Sequence, residues 1–479
     1  MRQLTLIQMV VLGGSMMLVG CGEGDQAEPN AAAAPDQQAS ALTATESSCA
    51  TPGTRFYVPP PTPDALAQIA RLTKTRHFGD AARLAAMEAK PQAAWFTGGS
   101  PDQVKSAVHD TMVRAAREHR VPILAAYNIP FRDCAQYSTG GATDTAAYDA
   151  WIDGFAQGIG NAKALVILEP DGLGIIPYNT TINNQAEWCQ PTVTDSSGIT
   201  APAPGANPTE RYAQINHAVD SIKSNAPNAS VYLDGTHSSW LPVGESASRL
   251  VRAGVQRANG LFVNVSNYQP TPQLTKYATW ISKCIYFAGN PAEGGWRLGH
   301  YDYCASQYYP ANPSDFSTWT LTDDWYAANV DGAANPPAGP GALAHFVIDT
   351  GRNGRGPFDA ASFAAAPYNQ PAGVVSGLNA GNWCNALGAG VGLRPTANTG
   401  VPLSDAYLWV KTPGGSDGSC DIAGGARAWD YSSYNPWDIT GDAQNHFDPL
   451  WGMVDPPAGA WFPEQALQLA QNANPPLRR

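Results

Sequence analysis

The chain has 479 residues, of which 43% are hydrophobic and 14% charged, so it can bury a large core and lacks the composition of a disordered protein. Its 28 Lys and Arg against 40 Asp and Glu give a net charge of −12, which argues against nucleic acid or an anionic membrane surface as a partner. The 47 glycines, 40 prolines and 14 tryptophans indicate many shaped loops and flat apolar surfaces.

The N-terminal region has the pattern of an export signal. Residues 1–20 combine a basic start with an apolar run from Leu4 to Leu18, which is short for a membrane-spanning helix. The residues before Cys21 resemble a bacterial lipobox, so we expect Cys21 to be lipidated; an ordinary signal peptide cut nearby is the alternative. Residues 21–50 predict a flexible tether rich in Ala, Gln, Ser and Pro, and residues 51–479 a folded domain. We therefore expect an exported monomer, lipid-anchored at the cell envelope or surface, or secreted.

Export implies an oxidising compartment, in which cysteines tend to pair. The last six of the eight cysteines permit sequential pairs, Cys134 with Cys189, Cys284 with Cys304, and Cys384 with Cys420. The sequence leaves this connectivity open, and Cys49 is left over. It contains neither a C-x-x-C nor an H-E-x-x-H pattern, so we expect no metal and no cofactor.

Seven short runs rich in Val, Ile, Leu, Phe or Trp predict β-strands. They are Ala93–Phe96, Ile123–Tyr127, Ala164–Leu168, Ser230–Leu233, Leu261–Val265, His345–Ile348 and Ala406–Val410. Most are continuously apolar, as expected for strands of a parallel sheet that are buried on both faces.

Helical patterns lie between several of these strands. The clearest spans Pro101–Arg120 and opens with Ser-Pro-Asp, a typical helix start. Two others span Thr209–Asn225 and Gly244–Ala258. Alternating strands and helices predict either an α/β barrel or a doubly wound open sheet.

Polar side chains follow six successive strands at their carboxyl ends. They are Asp133, Asp171, Asp234, Asn264, Asn267, Asp349, Arg352, Lys411 and Asp417. In a barrel these ends converge on one opening, where barrel active sites lie, whereas an open sheet would spread them apart. We therefore favour the barrel.

Four segments resemble the signature segments of glycoside hydrolase family 6. They are Tyr127-Asn-Ile-Pro-Phe-Arg-Asp133-Cys, Val166-Ile-Leu-Glu-Pro-Asp171-Gly, Val231-Tyr-Leu-Asp234-Gly-Thr-His237-Ser-Ser-Trp240 and Tyr407-Leu-Trp-Val-Lys411-Thr-Pro-Gly-Gly-Ser-Asp417-Gly. The resemblance extends from about Gly53 to Leu477. It implies a distorted seven-stranded parallel β/α barrel, with long loops over the C-terminal face, that hydrolyses cellulose or a soluble β-1,4-glucan with inversion.

Acetal cleavage needs a carboxylic acid that stays protonated, which burial or a neighbouring carboxylate can provide. Asp171 is our candidate for this general acid. The resemblance assigns the same role to Asp171, and to Asp133 that of raising its pKa and guiding the water. The alternative is that these aspartates only cap a helix or pair with Arg132.

An inverting hydrolase also needs a base that acts through water. Asp417 matches the family motif for this role. A water chain past Ser138 is one alternative, and Asp417 serving only as a partner of Lys411 or Arg352 is another. The family usually has a Glu where this chain has Gly415, which removes a sugar-contacting carboxylate.

Sugar rings stack their C–H faces on aromatic rings while their hydroxyls pair with polar groups. Trp95, Trp240 and Trp383 match the family's stacking positions, although core packing is the commoner role of a Trp. Candidate hydroxyl partners are Tyr127, His237, Asn267, Arg352 and Lys411. Asp234 either binds sugar or stabilises a turn.

The chain has three long loop segments, residues 171–230, 267–343 and 410–461, and loops of such length are usually functional. Within them, Trp188-Cys-Gln-Pro and Cys304-Ala-Ser-Gln-Tyr-Tyr-Pro resemble the bacterial chain-end-cutting branch of the family. We therefore predict a cellobiohydrolase, with an endoglucanase as the alternative.

Two further functions compete with this interpretation. Residues 414–418 match the G-x-S-x-G pattern of serine hydrolases, and Asp430, Asp438 and His446 follow in a suitable order. In serine hydrolases a strand ends directly before the Ser of this pattern. A Pro-Gly loop precedes Ser416 instead, which disfavours a serine hydrolase. A non-catalytic glucan-binding lipoprotein is the second alternative, and the presence of both Asp133 and Asp171 argues against it.

Overall fold

The structure is a computed structural model that describes residues 48–290 and 295–477. The predicted signal segment, the Cys21 lipidation site and most of the predicted tether lie outside the described residues. Within the described ranges, no helix combines the length and the apolar character needed to cross a membrane.

Seven parallel strands form the central sheet, as predicted. Together with a separate hairpin, the strands in chain order are β1 (Ala94–Phe96), β2 (Ile123–Ala126), β3 (Leu165–Leu168), β4 (Thr192–Thr194), β5 (Thr200–Pro202), β6 (Ser230–Asp234), β7 (Gly260–Val263), β8 (His345–Asp349) and β9 (Ser404–Leu408). The order across the sheet is β1-β2-β3-β6-β7-β8-β9, and every neighbouring pair is parallel. The antiparallel hairpin β4-β5 was not predicted.

The sheet curls until its two edges meet. The backbone N–H of Ala93 donates to the carbonyl oxygen of Trp409 at 3.0 Å, and the indole N–H of Trp95 donates to that of Val410 at 2.8 Å. No ladder joins β1 to β9 in the part of the chain that the structure describes. The predicted distorted seven-stranded barrel is therefore confirmed, with its seam between the first and last strands.

Alternate residues of the strands face two different layers. Leu124 and Val166 pack outward with the surrounding helices, whereas Ile123, Leu165 and Ile167 belong to a separate cluster inside the barrel. Both faces of β2 and β3 are buried, which explains their continuous apolar sequence.

Ten α-helices lie between or beside the strands of the described chain. They are α1 (Pro63–Lys74), α2 (Phe78–Glu88), α3 (Pro101–Arg117), α4 (Thr145–Ile159), α5 (Pro208–Asn225), α6 (Val243–Arg252), α7 (Thr271–Gly289), α8 (Thr320–Tyr326), α9 (Ala372–Ala380) and α10 (Pro463–Gln471). The start of α3 is stabilised by a capping box between Ser100 and Gln103. Helix α6 is shorter than predicted, because Gly254 adopts a left-handed conformation with φ of 83° and turns the chain.

The three sequential cysteine pairs are present as disulfides, Cys134–Cys189, Cys284–Cys304 and Cys384–Cys420. Cys49 is a free thiol. The first disulfide joins the residue after Asp133 to the long loop that follows β3. The third joins the residue after Trp383 to the segment that follows Asp417. Two of the three therefore fix loops at the carboxyl ends of the strands.

Candidate active site

A cavity of about 520 Å³ opens at the carboxyl ends of the parallel strands. Eleven of the predicted site residues line it, namely Trp95, Tyr127, Asp133, Ser138, Asp171, His237, Trp240, Asn267, Trp383, Lys411 and Asp417. Trp95 lies in β1, and the other ten come from loops that follow six different strands. The strand ends therefore bring these residues together at one opening, as the sequence predicts.

The loop that follows β3 and carries Asp171 is fixed by buried side chains that contact its backbone. Asp171 itself has a φ of 62°. The buried guanidinium groups of Arg211 and Arg249 donate to the carbonyl oxygens of residues 172–175 at 2.6 to 3.0 Å. The Asp234 carboxylate accepts two backbone N–H groups of the same loop at 3.1 and 3.2 Å. Two guanidinium groups and one carboxylate therefore fix the backbone of residues 172–175, directly after Asp171.

The surroundings of Asp171 favour its protonated form. Burial is the largest cause that raises its pKa well above the ordinary value, and the negative charges of Asp133, Asp234 and Asp417 raise it further. Lys411 acts in the opposite direction and does not reverse the shift. A carboxyl group in this environment keeps its proton near neutral pH, as a general acid requires.

Asp133 lies between the acid and a set of hydrogen-bond donors. The hydroxyl of Tyr127 donates to its Oδ2 at 2.6 Å, and its buried Oδ1 has no partner in the described chain. Burial raises the pKa of Asp133, while Tyr127, Arg132 and Ser138 lower it. A buried, unpartnered carboxylate oxygen at a cavity wall is suited to accept a hydrogen bond from water or substrate.

Glu169, two residues before Asp171, is a buried carboxyl group that the sequence reasoning missed. It accepts the backbone N–H groups of Asn128 and Ile129 at 2.9 to 3.1 Å. Burial raises its pKa to about 7, although these hydrogen bonds lower it. Glu169 therefore ties the end of β3 to the end of β2, which fixes the loop that carries Asp133 relative to the one that carries Asp171.

Asp417 is held as a carboxylate by two cations. Arg352 Nη1 lies 2.8 Å from its Oδ2, and Lys411 Nζ lies 3.0 Å from its Oδ1. The backbone N–H of Asn385 donates to Oδ2 at 2.9 Å. Burial alone would raise the pKa of Asp417, but Arg352 first and Lys411 second lower it to about 2. Asp417 is thus a permanent negative charge and a weak base.

Behind Asp417 lies a second buried carboxyl pair. Asn385 accepts the backbone N–H of Asp417 at 2.8 Å on its Oδ1 and donates from Nδ2 to Asp455 Oδ2 at 2.7 Å. Burial, and then the Asp448 carboxylate, raise the pKa of Asp455 to about 9. Asp448 in turn accepts two hydrogen bonds from Arg427, at 2.8 and 3.0 Å. A chain of contacts therefore connects a protonated carboxyl group to the cradle of Asp417.

Three aromatic side chains predicted to stack on sugar line the cavity. Trp95 packs edge-on against Tyr127, with ring centroids 5.3 Å apart. Trp240 lies against the loop that carries Asp171. A Cβ at Gly174 in that loop would come within 2.5 Å of the indole, so only Gly permits this close approach. Burial lowers the pKa of the adjacent His237 to about 3, which leaves its ring neutral and able both to donate and to accept.

Two residues predicted to contact sugar do not line the cavity. The side chain of Arg352 is fully buried, and its guanidinium donates to Asp417 and to the carbonyl oxygen of Ser266. Asp234 is also buried, and its oxygens accept backbone N–H groups, so the turn role applies. Each of these side chains is occupied by protein partners behind the cavity wall, which for Asp234 favours the turn role over sugar binding.

Several cavity-lining residues were not predicted. The polar and aromatic ones are Gln136, Trp188, Ser239, Ser266, Gln269, Asn379 and Asn382. They lie one to four residues from positions that the sequence singled out, including disulfide cysteines. For Trp188 the available signals were its place beside Cys189 in a long loop and the resemblance of the segment Trp188-Cys-Gln-Pro.

The serine-hydrolase interpretation does not fit the geometry. Ser416 is fully buried, and its hydroxyl contacts the carbonyl oxygens of Pro456 and Gly418 at 2.8 and 3.2 Å. The exposed His446 lies beside Asp421 and Asp442. Ser416 therefore has neither access to substrate nor a histidine base.

Gly415, where the resemblance leads us to expect Glu, lies in the closely packed segment between Lys411 and Asp417. A Cβ there would lie 3.2 Å from the carbonyl oxygen of Thr412 and 3.9 Å from the Lys411 side chain. The absent carboxylate is thus one that would stand near Lys411. Its absence leaves Asp417 as the residue that neutralises Lys411 among the described contacts.

The chain matches the profile of Glycosyl hydrolases family 6 over residues 51–473. It is 30% identical to "Endoglucanase 1" from Streptomyces sp. (strain KSM-9), in an alignment that covers 69% of this chain and 65% of that protein. It is 27% identical to "Probable 1,4-beta-D-glucan cellobiohydrolase C" from Aspergillus terreus, over 80% of this chain and 67% of that one. The chain therefore spans less than two thirds of the length of the first of these relatives.

A similar solved structure is the endoglucanase Cel6 from Mycobacterium tuberculosis, which is 27% identical. The superposition has a TM-score of 0.55 and covers 88% of this chain and 97% of that one. That structure contains a thio-linked cello-oligosaccharide, methyl-cellobiosyl-4-deoxy-4-thio-beta-D-cellobioside. The likeness thus extends over nearly all of the described barrel.

Proposed function

This chain belongs to glycoside hydrolase family 6, and from that membership we propose that it hydrolyses β-1,4-glucosidic bonds in cellulose with inversion, Asp171 being the general acid. The observation that carries the proposal is the placement of Asp171 in a tryptophan-lined cavity, among three carboxyl groups that raise its pKa. The bound cello-oligosaccharide of the Mycobacterium tuberculosis relative supports the substrate class.

In the proposed mechanism, Asp171 gives its proton to the glycosidic oxygen as the bond to the leaving sugar breaks. Positive charge then develops on the sugar ring that remains. The permanent carboxylate of Asp417 stabilises this charge electrostatically. A water molecule attacks from the opposite face, so the anomeric configuration inverts.

The proton of the attacking water has two candidate acceptors. Asp417 is one, but two cations lower its pKa to about 2, which makes it a poor acceptor. Asp133 is the other, since burial raises its pKa and Ser138 lies beside it at the cavity wall. We favour transfer through water past Ser138 toward Asp133, with Asp417 orienting and stabilising. Activity of Asp417→Ala that is restored by added azide would instead identify Asp417 as the base.

The experiment that tests the proposal compares the chain with its Asp171→Ala variant on cellohexaose. We expect kcat to fall by about 10²- to 10⁴-fold, the usual contribution of a general acid. A cellobioside with an activated phenol leaving group needs little protonation and should be hydrolysed by both proteins. Undiminished cleavage of cellohexaose by Asp171→Ala would refute the assignment, and absence of cleavage by the unaltered chain would favour the glucan-binding alternative.

We further propose chain-end cleavage that releases cellobiose. Its support is the loop after β3, which Cys134–Cys189 fixes beside the cavity, with Trp188 among the lining residues. Endoglucanase action is a second candidate, because the first relatives are named endoglucanases. Release of soluble sugar from crystalline cellulose with little viscosity loss in carboxymethylcellulose would support chain-end cleavage, and rapid viscosity loss would support the endoglucanase.

We also propose that the protein is exported, anchored by a lipid at Cys21, and monomeric. Three disulfides are typical of an exported protein. A Cys21→Ser variant should move from the membrane fraction to the soluble fraction of the producing cell. Unchanged fractionation would exclude the anchor, and a mass above one chain in sedimentation would exclude the monomer.

A further inference from the structure

We propose that Trp188 is an additional sugar-binding platform, which stacks on a pyranose ring of a β-1,4-glucan chain in the cavity. The inference rests on the proposed function. Trp188 lines the same cavity as Asp133 and Asp171, yet 53% of its surface is exposed to solvent. The face that remains open is therefore available to a ligand in the cavity.

The backbone on either side of Trp188 is firmly held. Glu187 pairs with the buried guanidinium of Arg249, and its N–H donates to the carbonyl oxygen of Asn179 at 2.9 Å. Cys189 is buried, and its disulfide partner is Cys134. Anchors at the preceding and the following residue thus place one exposed side chain on the cavity wall, and such preorganisation lowers the entropic cost of binding.

The indole of Trp188 forms neither a hydrogen bond nor a ring contact with the described residues, so packing within the protein does not account for its fixed position. Its N–H has no hydrogen-bond partner among the described residues, and no ring contact to it is found there. By contrast, the indole N–H of Trp151 donates to the carbonyl oxygen of Gly98, and that of Trp280 donates to Asp323. Both the ring face and the N–H of Trp188 are therefore free to meet the C–H face and a hydroxyl of a sugar.

The disulfide also sets where this platform lies. Cys134 directly follows Asp133, so the loop that carries Trp188 is bonded to the loop that carries the Asp133 carboxylate. A sugar ring stacked on Trp188 would therefore lie on the side of the cavity that Asp133 occupies. A glucan held there is positioned relative to Asp171, because both residues line the same cavity.

The test measures binding without turnover, in full-length chains that carry Asp171→Ala. We expect Trp188→Ala in this background to raise the Kd for cellohexaose about tenfold, a typical loss for one stacked ring. Trp188→Phe should retain part of the affinity. The matched control is Trp296→Ala, because Trp296 is also 49% exposed but does not line the cavity, and its Kd should stay unchanged.

Kinetics in the chain with Asp171 intact provide the second measurement. Trp188→Ala should raise KM for cellohexaose with little change in kcat, since a stacking contact on a sugar ring stabilises the bound substrate and the transition state alike. Equal Kd values with and without Trp188 would overturn this inference while leaving the proposed function intact. Failure of the parent chain to bind any cello-oligosaccharide would overturn the proposed function, and this inference with it.

Discussion

The hydroxyl of Tyr127 donates a 2.6 Å hydrogen bond to Oδ2 of Asp133. Burial alone would favour a protonated Asp133, and this donor is the largest of the contacts that oppose it. A charged Asp133 in turn raises the pKa of Asp171. The protonation of the proposed acid therefore depends on a tyrosine and an aspartate that come from a different strand.

Replacing Asp133 should change the pH dependence of catalysis. Asp171 must hold its proton to act, so activity falls as pH rises through its pKa. Burial is the first cause of its raised pKa and the Asp133 charge is the second, so Asp133→Asn should lower that pKa. We expect the alkaline limb of the kcat/KM profile to move to lower pH. An unmoved limb, or an equal shift in the exposed control Asp324→Asn, would contradict this coupling.

Arg352 is expected to stabilise the protein through Asp417. Arg352→Ala removes one of the two cations that hold the buried Asp417 and leaves only Lys411 to compensate its charge, so it should lower the free energy of unfolding by about 3 kcal/mol at pH 7, the lower end of the loss for breaking a buried ion pair. Because the folded pKa of Asp417 is lowered to about 2, its contribution is present above the unfolded value of about 4 and lost as pH falls through 2. Denaturant titrations from pH 7 to pH 2 should show that the difference in free energy of unfolding between wild type and Arg352→Ala decreases. A difference that stays constant with pH would contradict the contribution of the Arg352–Asp417 pair. Arg55→Ala, at an exposed position, is the control.

Asp455 should make the protein less stable in alkali. Its folded pKa is raised to about 9, so its contribution is fully present below the unfolded value of about 4 and is lost as pH rises through 9. An amide in Asp455→Asn can accept from Asn385 and donate to Asp448 at every pH. Thermal unfolding should show that the stability of Asp455→Asn increases relative to that of the wild type between pH 7 and 10. No gain over wild type, or the same gain for the exposed Asp442→Asn, would be evidence against the protonated pair.

The disulfides offer a matched comparison between stability and activity. Opening Cys134–Cys189, which spans 55 residues, should lower the free energy of unfolding by about 4 kcal/mol, and opening Cys284–Cys304, which spans 20, by about 3 kcal/mol. Paired Cys→Ser variants separate the two effects. The first pair should also lower kcat/KM because it holds the loops of Asp133 and Trp188, and the second should spare it. Equal losses of activity would show that the first disulfide has no special role at the site.

The sequence could predict the strands and the convergence of their ends, because both depend on local patterns. It could not show which strand-end side chains point into the cavity. Asp234 and Arg352 occupy the expected positions but turn toward backbone groups and Asp417 behind the wall. A strand end specifies where a residue lies along the barrel axis, whereas its partners decide where its side chain points.

Contacts between residues that lie far apart in the chain could not be predicted from the sequence either. Asn385 contacts Asp455, which is 70 residues away, and no local pattern connects them. Glu169 lies in a segment that resembles the family, but its role depends on backbone N–H groups that follow another strand. These contacts arise only when the barrel curls and brings the loops together.

The most direct test of the account is the anomeric configuration of the first product formed from cellohexaose, followed by proton NMR before mutarotation. If Asp171 gives its proton while water attacks from the opposite face, the new reducing end appears as the α-anomer and converts later to the equilibrium mixture. A product that appears first as the β-anomer would contradict the account, since it would require a covalent intermediate on one of these carboxylates.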